Sequence, residues 1–155
     1  MTVAGTIAAV LRTNWGLAAP LAAANIHFDE GWYDSRGTIL DRQVIVSHVV
    51  SPTHMFFGPN HAVDNYLNLL NFDRYAVDCW VRVPRGQDGA TEQEQCEDIK
   101  NEVVKVLNLQ RENYVAPVGL VLPLDYGTQL NEVDANGVPR VMRWRVLIQA
   151  NAKTK

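Results

Sequence analysis

Ten residues near the middle of the chain set the strongest limit on its fold. From Arg74 to Val83, Tyr75, Val77, Cys79, Val81 and Val83 alternate with Arg74, Ala76, Asp78, Trp80 and Arg82. Successive side chains point to opposite faces only in an extended strand, so this alternation predicts a strand with one apolar face and one mixed face. Such a strand suits a sheet whose apolar side is covered by helices.

Two segments can supply those helices. Between Thr91 and Leu109, Cys96, Ile99, Val103 and Val106 recur at steps of three and four, which places Ile99 and Val103 against the sheet. Thr91 and Glu94 have the spacing of a capping box. Glu92, Glu94, Glu97 and Asp98 come early and Lys100, Lys105 and Arg111 late, the order that complements a helix dipole. Near the N-terminus, Thr2 to Trp15 carries Val3, Ile7, Val10 and Leu11 at helical spacing, with Thr2 as cap and Gly16 and Pro20 as stops.

Further strands are expected over Thr38–Val50, where Val44, Val46, His48 and Val50 share a face, over Val118–Leu124, and over Arg140–Ala150. In the last of these, Met142, Trp144, Val146 and Ile148 lie opposite Val141, Arg143, Arg145 and Leu147. Asp134-Ala135-Asn136-Gly137 is a turn signal, because Asn-Gly tolerates positive φ, and it predicts that a strand near Tyr126–Val133 pairs with Arg140–Ala150. Ala18–Gly37 reads as irregular, Ser51–Pro59 as a break, and Ala62–Leu70 as a short helix. The expected fold is a single α+β domain over residues 1–155. Its order is helix–strand–strand–helix–strand–strand, with a mostly antiparallel sheet packed on helices and an insertion near 51–72.

At 155 residues, 47% hydrophobic and 20% charged, the chain can bury a core without metal or disulfide staples. The net charge of −3 comes with scattered Lys and Arg, so nucleic-acid binding is not expected as its main role. No apolar run reaches the roughly 18 residues of a membrane span, and no positive n-region of a signal peptide precedes Arg12. Cys79 and Cys96 lack zinc-site spacing and read as reduced thiols, one on a strand and one on a helix. His27, His48, His54 and His61, with Asp29 and Glu30, match no convergent ligand pattern. Asp29, Glu30 and Asp34 read as an acidic loop, since acid–base work needs a cleft that raises one pKa. Ser35, Ser47 and Ser51 sit in no nucleophile elbow. No catalytic, metal or cofactor residue is assigned, and the chain is not expected to be an enzyme.

Aromatic and Met side chains in loops mark protein contacts more than other residues do, and interfaces also favour Arg. Trp32 and Tyr33, and Met55, Phe56 and Phe57, lie in segments read as loops. Arg74 and Arg82, with Arg143 and Arg145, lie on the mixed faces of their strands. These nine residues are the candidate oligomer or partner contacts.

The opening helix Val3–Trp15, the strand Arg74–Val83 (RYAVDCWVRV), the helix Thr91–Leu109 (TEQEQCEDIKNEVVKVLNL) and the strand Val141–Ala150 (VMRWRVLIQA) together make a pattern. It resembles the tail terminator or tail-completion (neck) proteins of long-tailed bacteriophages and related viruses. The resemblance implies a structural virion protein, made in the host cytoplasm, that forms a ring with itself, commonly a hexamer. That ring caps the tail tube protein, stops tube growth and offers a docking surface to the head–neck connector protein. It implies no cofactor, no membrane and no sequence-specific nucleic acid, although DNA can pass through such a ring. Two other readings stay open: another neck component, such as a head-closure or connector protein, and a small α+β ligand-binding domain or enzyme using the His-containing loop.

Overall fold

A computed structural model of the chain describes residues 2–28, 41–50, 71–111 and 120–152. Helix α1 (Val3–Asn14) begins at Thr2, whose Oγ1 accepts the Gly5 N–H at 3.0 Å. Its buried stripe is Ala4, Ile7, Ala8 and Leu11, with Val10 only half-buried. Small residues let this helix lie close to the sheet.

A short 3₁₀ turn (Ala23–Asn25) leads into strand β1 (Ile26–Phe28). This strand lies within the segment read as irregular. It pairs in parallel with β2 (Arg42–Val50), Ile26 facing Val44 and Phe28 facing Val46. Three residues are too few for alternation to register, so the parallel pair had no signal of its own. The guanidinium of Arg12 donates to the Ile26 carbonyl, Nε at 2.7 Å and Nη2 as well, which ties α1 to β1. The Trp15 indole donates to the Leu21 carbonyl at 2.9 Å, and the Gly16 N–H donates to the buried Glu102 carboxylate at 2.9 Å.

Strand β3 (Asn71–Arg82) pairs antiparallel with β2, Val44 opposite Cys79 and Val46 opposite Val77. It also pairs antiparallel with β6 (Pro139–Ala152), Cys79 opposite Trp144 and Val81 opposite Met142. Strand β4 (Leu120–Gln129) and the two-residue β5 (Glu132–Val133) both pair antiparallel with β6. The sheet order is β1-β2-β3-β6-β4, with β5 on β6. β4 lies at a margin of this order, a position that tolerates Pro123.

Helix α2 (Ala90–Arg111) starts one residue before the expected box. Asp88 Oδ1 accepts the Ala90 N–H at 3.0 Å, and the Gln93 N–H donates to the Gly89 carbonyl at 2.8 Å, so Thr91 lies inside the first turn. The entry is made by Gly89, at φ +85°, where a Cβ would stand 2.4 Å from Met142 Cε. Cys96, Ile99, Val103, Val106 and Leu107 are buried with Val77, Cys79, Val81, Val146 and Ile148 of the sheet. Both cysteines are free and buried, and the Cys96 thiol lies 3.3 Å from the Cys79 carbonyl oxygen. Burial pushes the Cys96 thiol up to about 12 and raises Cys79 well above the ordinary thiol range, so neither is a thiolate near neutral pH.

The fold class is therefore α+β, a mixed and mostly antiparallel sheet with two α-helices among the described residues. The helix expected at Ala62–Leu70, the break at Ser51–Pro59 and most of the insertion lie outside the described residues; Asn71 and Phe72 belong to β3. No helix among the described residues is long and apolar enough to cross a membrane.

Candidate interaction surface

The pleat that sends Tyr75, Val77, Cys79 and Val81 to the helices turns Ala76, Asp78, Trp80 and Arg82 to the opposite face. Register then decides which residues of the neighbouring strand join them. Asp78 stands across from Arg145, and Trp80 across from Arg143. Arg145 grips Asp78 with both arms, Nε to Oδ1 at 2.8 Å and Nη2 to Oδ2 at 3.0 Å. Arg143 Nη2 reaches the same Oδ2 at 3.0 Å, and its guanidinium lies 5.3 Å from the Trp80 ring centroid. The hydrogen bonds that Arg145 donates to Asp78 hold its guanidinium above the ordinary pKa.

This face is more enclosed than a bare outer face. Gln43, Ile45, Ala76 and Asp78 are all buried. Among the described residues, neither amide atom of Gln43 has a hydrogen-bond partner, nor does Arg143 Nε. The side chains of Arg143 and Arg145 retain 20% and 30% of their exposure, enough for an edge of each guanidinium to meet solvent.

The four candidate arginines do not converge. Arg143 and Arg145 meet on Asp78. Arg74 and Arg82 each lie four residues along β3 from Asp78, about 13 Å in opposite directions. Both are exposed, and Arg82 Nη1 is 3.9 Å from Asp41 Oδ1. Trp32, Tyr33, Met55, Phe56 and Phe57 lie outside the described residues.

At the Arg82 end an open cleft of about 850 Å³ is lined by Trp80, Arg82, Arg85, Arg42 and Arg140. Asp41, Glu132 and the buried Glu92 add negative charge to the lining. Arg42 is held by the Gln95 side chain at 3.0 Å, and Arg140 by Asp134 at 2.9 Å.

Beside the cleft stands the hairpin of β5 and β6. Its turn is the one expected at Asp134–Gly137: the Gly137 N–H donates to the Asp134 carbonyl at 3.0 Å, with Gly137 at φ +76°. The Asp134 carboxylate accepts the Asn136 N–H at 2.9 Å and the Val138 N–H at 3.0 Å. The Val138 bond foremost, then those from Asn136 and Arg140, keep its pKa below the usual carboxylate value. The arm's base is fixed to β6, where the Leu130 N–H donates to the Arg143 carbonyl at 2.8 Å. Leu130, Val133 and Val138 are all exposed on it.

Arg42, Arg85, Arg140 and the hairpin aliphatics were not singled out from sequence. Valines on either side of an Asn-Gly turn were the available signal. Among the described residues no three His, Cys, Asp or Glu side chains are grouped to hold a metal ion. No protein-family model matches the chain, and no curated protein matches it in sequence.

Proposed function

We propose that the protein is a structural component of a virus particle, a ring that caps the tail tube and joins the tail to the head–neck. The observation that carries this reading is the β5–β6 arm. A turn with internally satisfied hydrogen bonds holds Leu130, Val133 and Val138 out in solvent, beside a cleft edged by arginines. Clustered exposed aliphatics beside Arg and Trp side chains are the composition of a protein contact. A ring needs two different surfaces on each subunit, and the arm with its cleft serves as one.

In this reading Trp32, Tyr33 and Met55–Phe57 belong to subunit or neck–tail contacts. The solvent edges of Arg143 and Arg145, with Arg74 and Arg82, help set orientation across them. The test is electron microscopy of the purified protein, with co-sedimentation on tail tubes. Closed rings that bind tube ends are expected. Monomers that bind no tube would remove the reading, and binding to head connectors in place of tubes would move the protein to a head-closure role.

A further inference from the structure

We propose that copies of the chain join head to tail, the arginine cleft and β5–β6 arm of one copy receiving the outer face of α2 of the next. The inference rests on the ring reading and names the two surfaces that make the ring.

The first argument is charge. Ile99, Val103 and Val106 bury one side of α2, so the opposite side faces solvent and carries Glu94, Glu97, Asp98 and Asn101, all exposed. Lys105, the base on that side, lies 3.5 Å from Glu102 of its own helix. The cleft's lining carries a small excess of the opposite sign, Arg42, Arg82, Arg85 and Arg140 against Asp41, Glu92 and Glu132. Arg82 and Arg85 are exposed and line it, and Arg82 lies 3.9 Å from the largely exposed Asp41. Complementary potentials of this kind select partner and orientation.

The second argument is apolar surface. Leu109, near the C-terminal end of α2, is 58% exposed, and Val133 on the arm is 59% exposed. The lengths are of the same order. Glu94 to Leu109 covers about 22 Å of helix, and the extended chain from Thr128 to Val133 spans about 17 Å. A neighbour's helix laid along the arm would bring its acidic first half to the arginines and Leu109 to the valines. Because the outer helix face and the sheet-end cleft are different patches, their contact is heterologous and propagates around a ring.

The experiment is a charge exchange read by light scattering and sedimentation velocity on the 155-residue chain. Two variants are made, Arg82→Glu with Arg85→Glu, and Glu94→Lys with Glu97→Lys. Each alone is expected to need at least tenfold more protein to associate than the parent. An equal mixture is expected to assemble like the parent, since each reversed patch meets its reversed counterpart. Arg85→Gln and Glu97→Gln, milder changes at exposed positions, should weaken association by a smaller factor with unchanged melting curves. A parent that assembles while both reversed variants assemble equally well overturns this contact and leaves the ring standing. A parent that stays monomeric alone and with tail tubes overturns the ring as well. Assembly only in the presence of a second protein assigns the cleft to that protein and overturns the contact between copies.

Discussion

Asp78 accepts three hydrogen bonds from two arginines, so it holds together charges that would otherwise repel across adjacent positions of β6. Replacing it with Ala leaves Arg145 on an enclosed face without that counter-charge, and Arg143 with only Glu132, 4.0 Å from its Nη1. We expect Asp78→Ala to cost about 2–4 kcal/mol, somewhat below the loss of a fully buried partner because both guanidinium groups reach solvent. A urea midpoint that does not move would show the cluster to be energetically idle. His27 gives a pH-dependent case. Burial, and then the nearby Arg12 charge, lower its pKa below 6.5, so the folded chain resists a proton that the unfolded chain accepts. Stability from this group is full above about pH 6.5 and is lost as pH falls from there toward the lower folded value. Denaturation at pH 7.5 and 5.5 should show a smaller drop for His27→Gln than for the parent; equal drops would assign the effect to other groups. Alternation within single strands placed Asp78, Arg143 and Arg145 on the mixed faces. Their meeting depends on the β3–β6 register, which is set by pairing between segments about 65 residues apart.

Helix α2 is where the sequence was most legible, because 22 residues repeat the helical period many times. Ile99 and Val103 are both fully buried, so Ile99→Ala should cost about 2–4 kcal/mol and Val103→Ala about 1–3 kcal/mol, through lost burial and a residual cavity. An unchanged midpoint for Val103→Asp would place the wrong face inward. The start of the helix was misjudged because it opens before Thr91: Asp88 takes the Ala90 N–H and the Gly89 carbonyl takes the Gln93 N–H, which leaves Thr91 inside the first turn. That geometry depends on the positive φ of Gly89, which a side chain disfavours by about 1–2 kcal/mol. Gly89→Ala should lose at least that much, since its Cβ would also meet Met142 at 2.4 Å; a calorimetric melting temperature equal to the parent's would contradict it. β1 went unread because three residues carry no measurable period, and the strand expected near Tyr126–Val133 is divided between the end of β4 and the two-residue β5, both paired with β6.

The whole molecule was legible as a class and not as an arrangement. Periodicity separated two helices from the strands and matched the turn at Asp134–Gly137, but the order β1-β2-β3-β6-β4 and the parallel start follow from long-range pairing. The surface was least legible, because a single exposed valine means nothing in a sequence and only the folded hairpin gathers Leu130, Val133 and Val138 on one arm. Removing the aliphatics there separates folding from association. Val133 and Val138 are exposed in the isolated chain, so replacing both with Ser should change monomer stability by no more than about 0.5 kcal/mol per site. If a neighbouring copy covers the arm, each valine loses about 1 kcal/mol of apolar burial when replaced, half of full burial because each is already partly covered. The pair then weakens assembly by about 2 kcal/mol, roughly thirtyfold in Kd. This loss should persist at high salt. The arginine–carboxylate part of the same contact should fade as the Debye length shrinks toward about 3 Å near 1 M salt. Sedimentation velocity at two salt concentrations separates the terms. A double variant that associates like the parent at both concentrations, with an unchanged melting curve, would leave the arm outside every subunit contact.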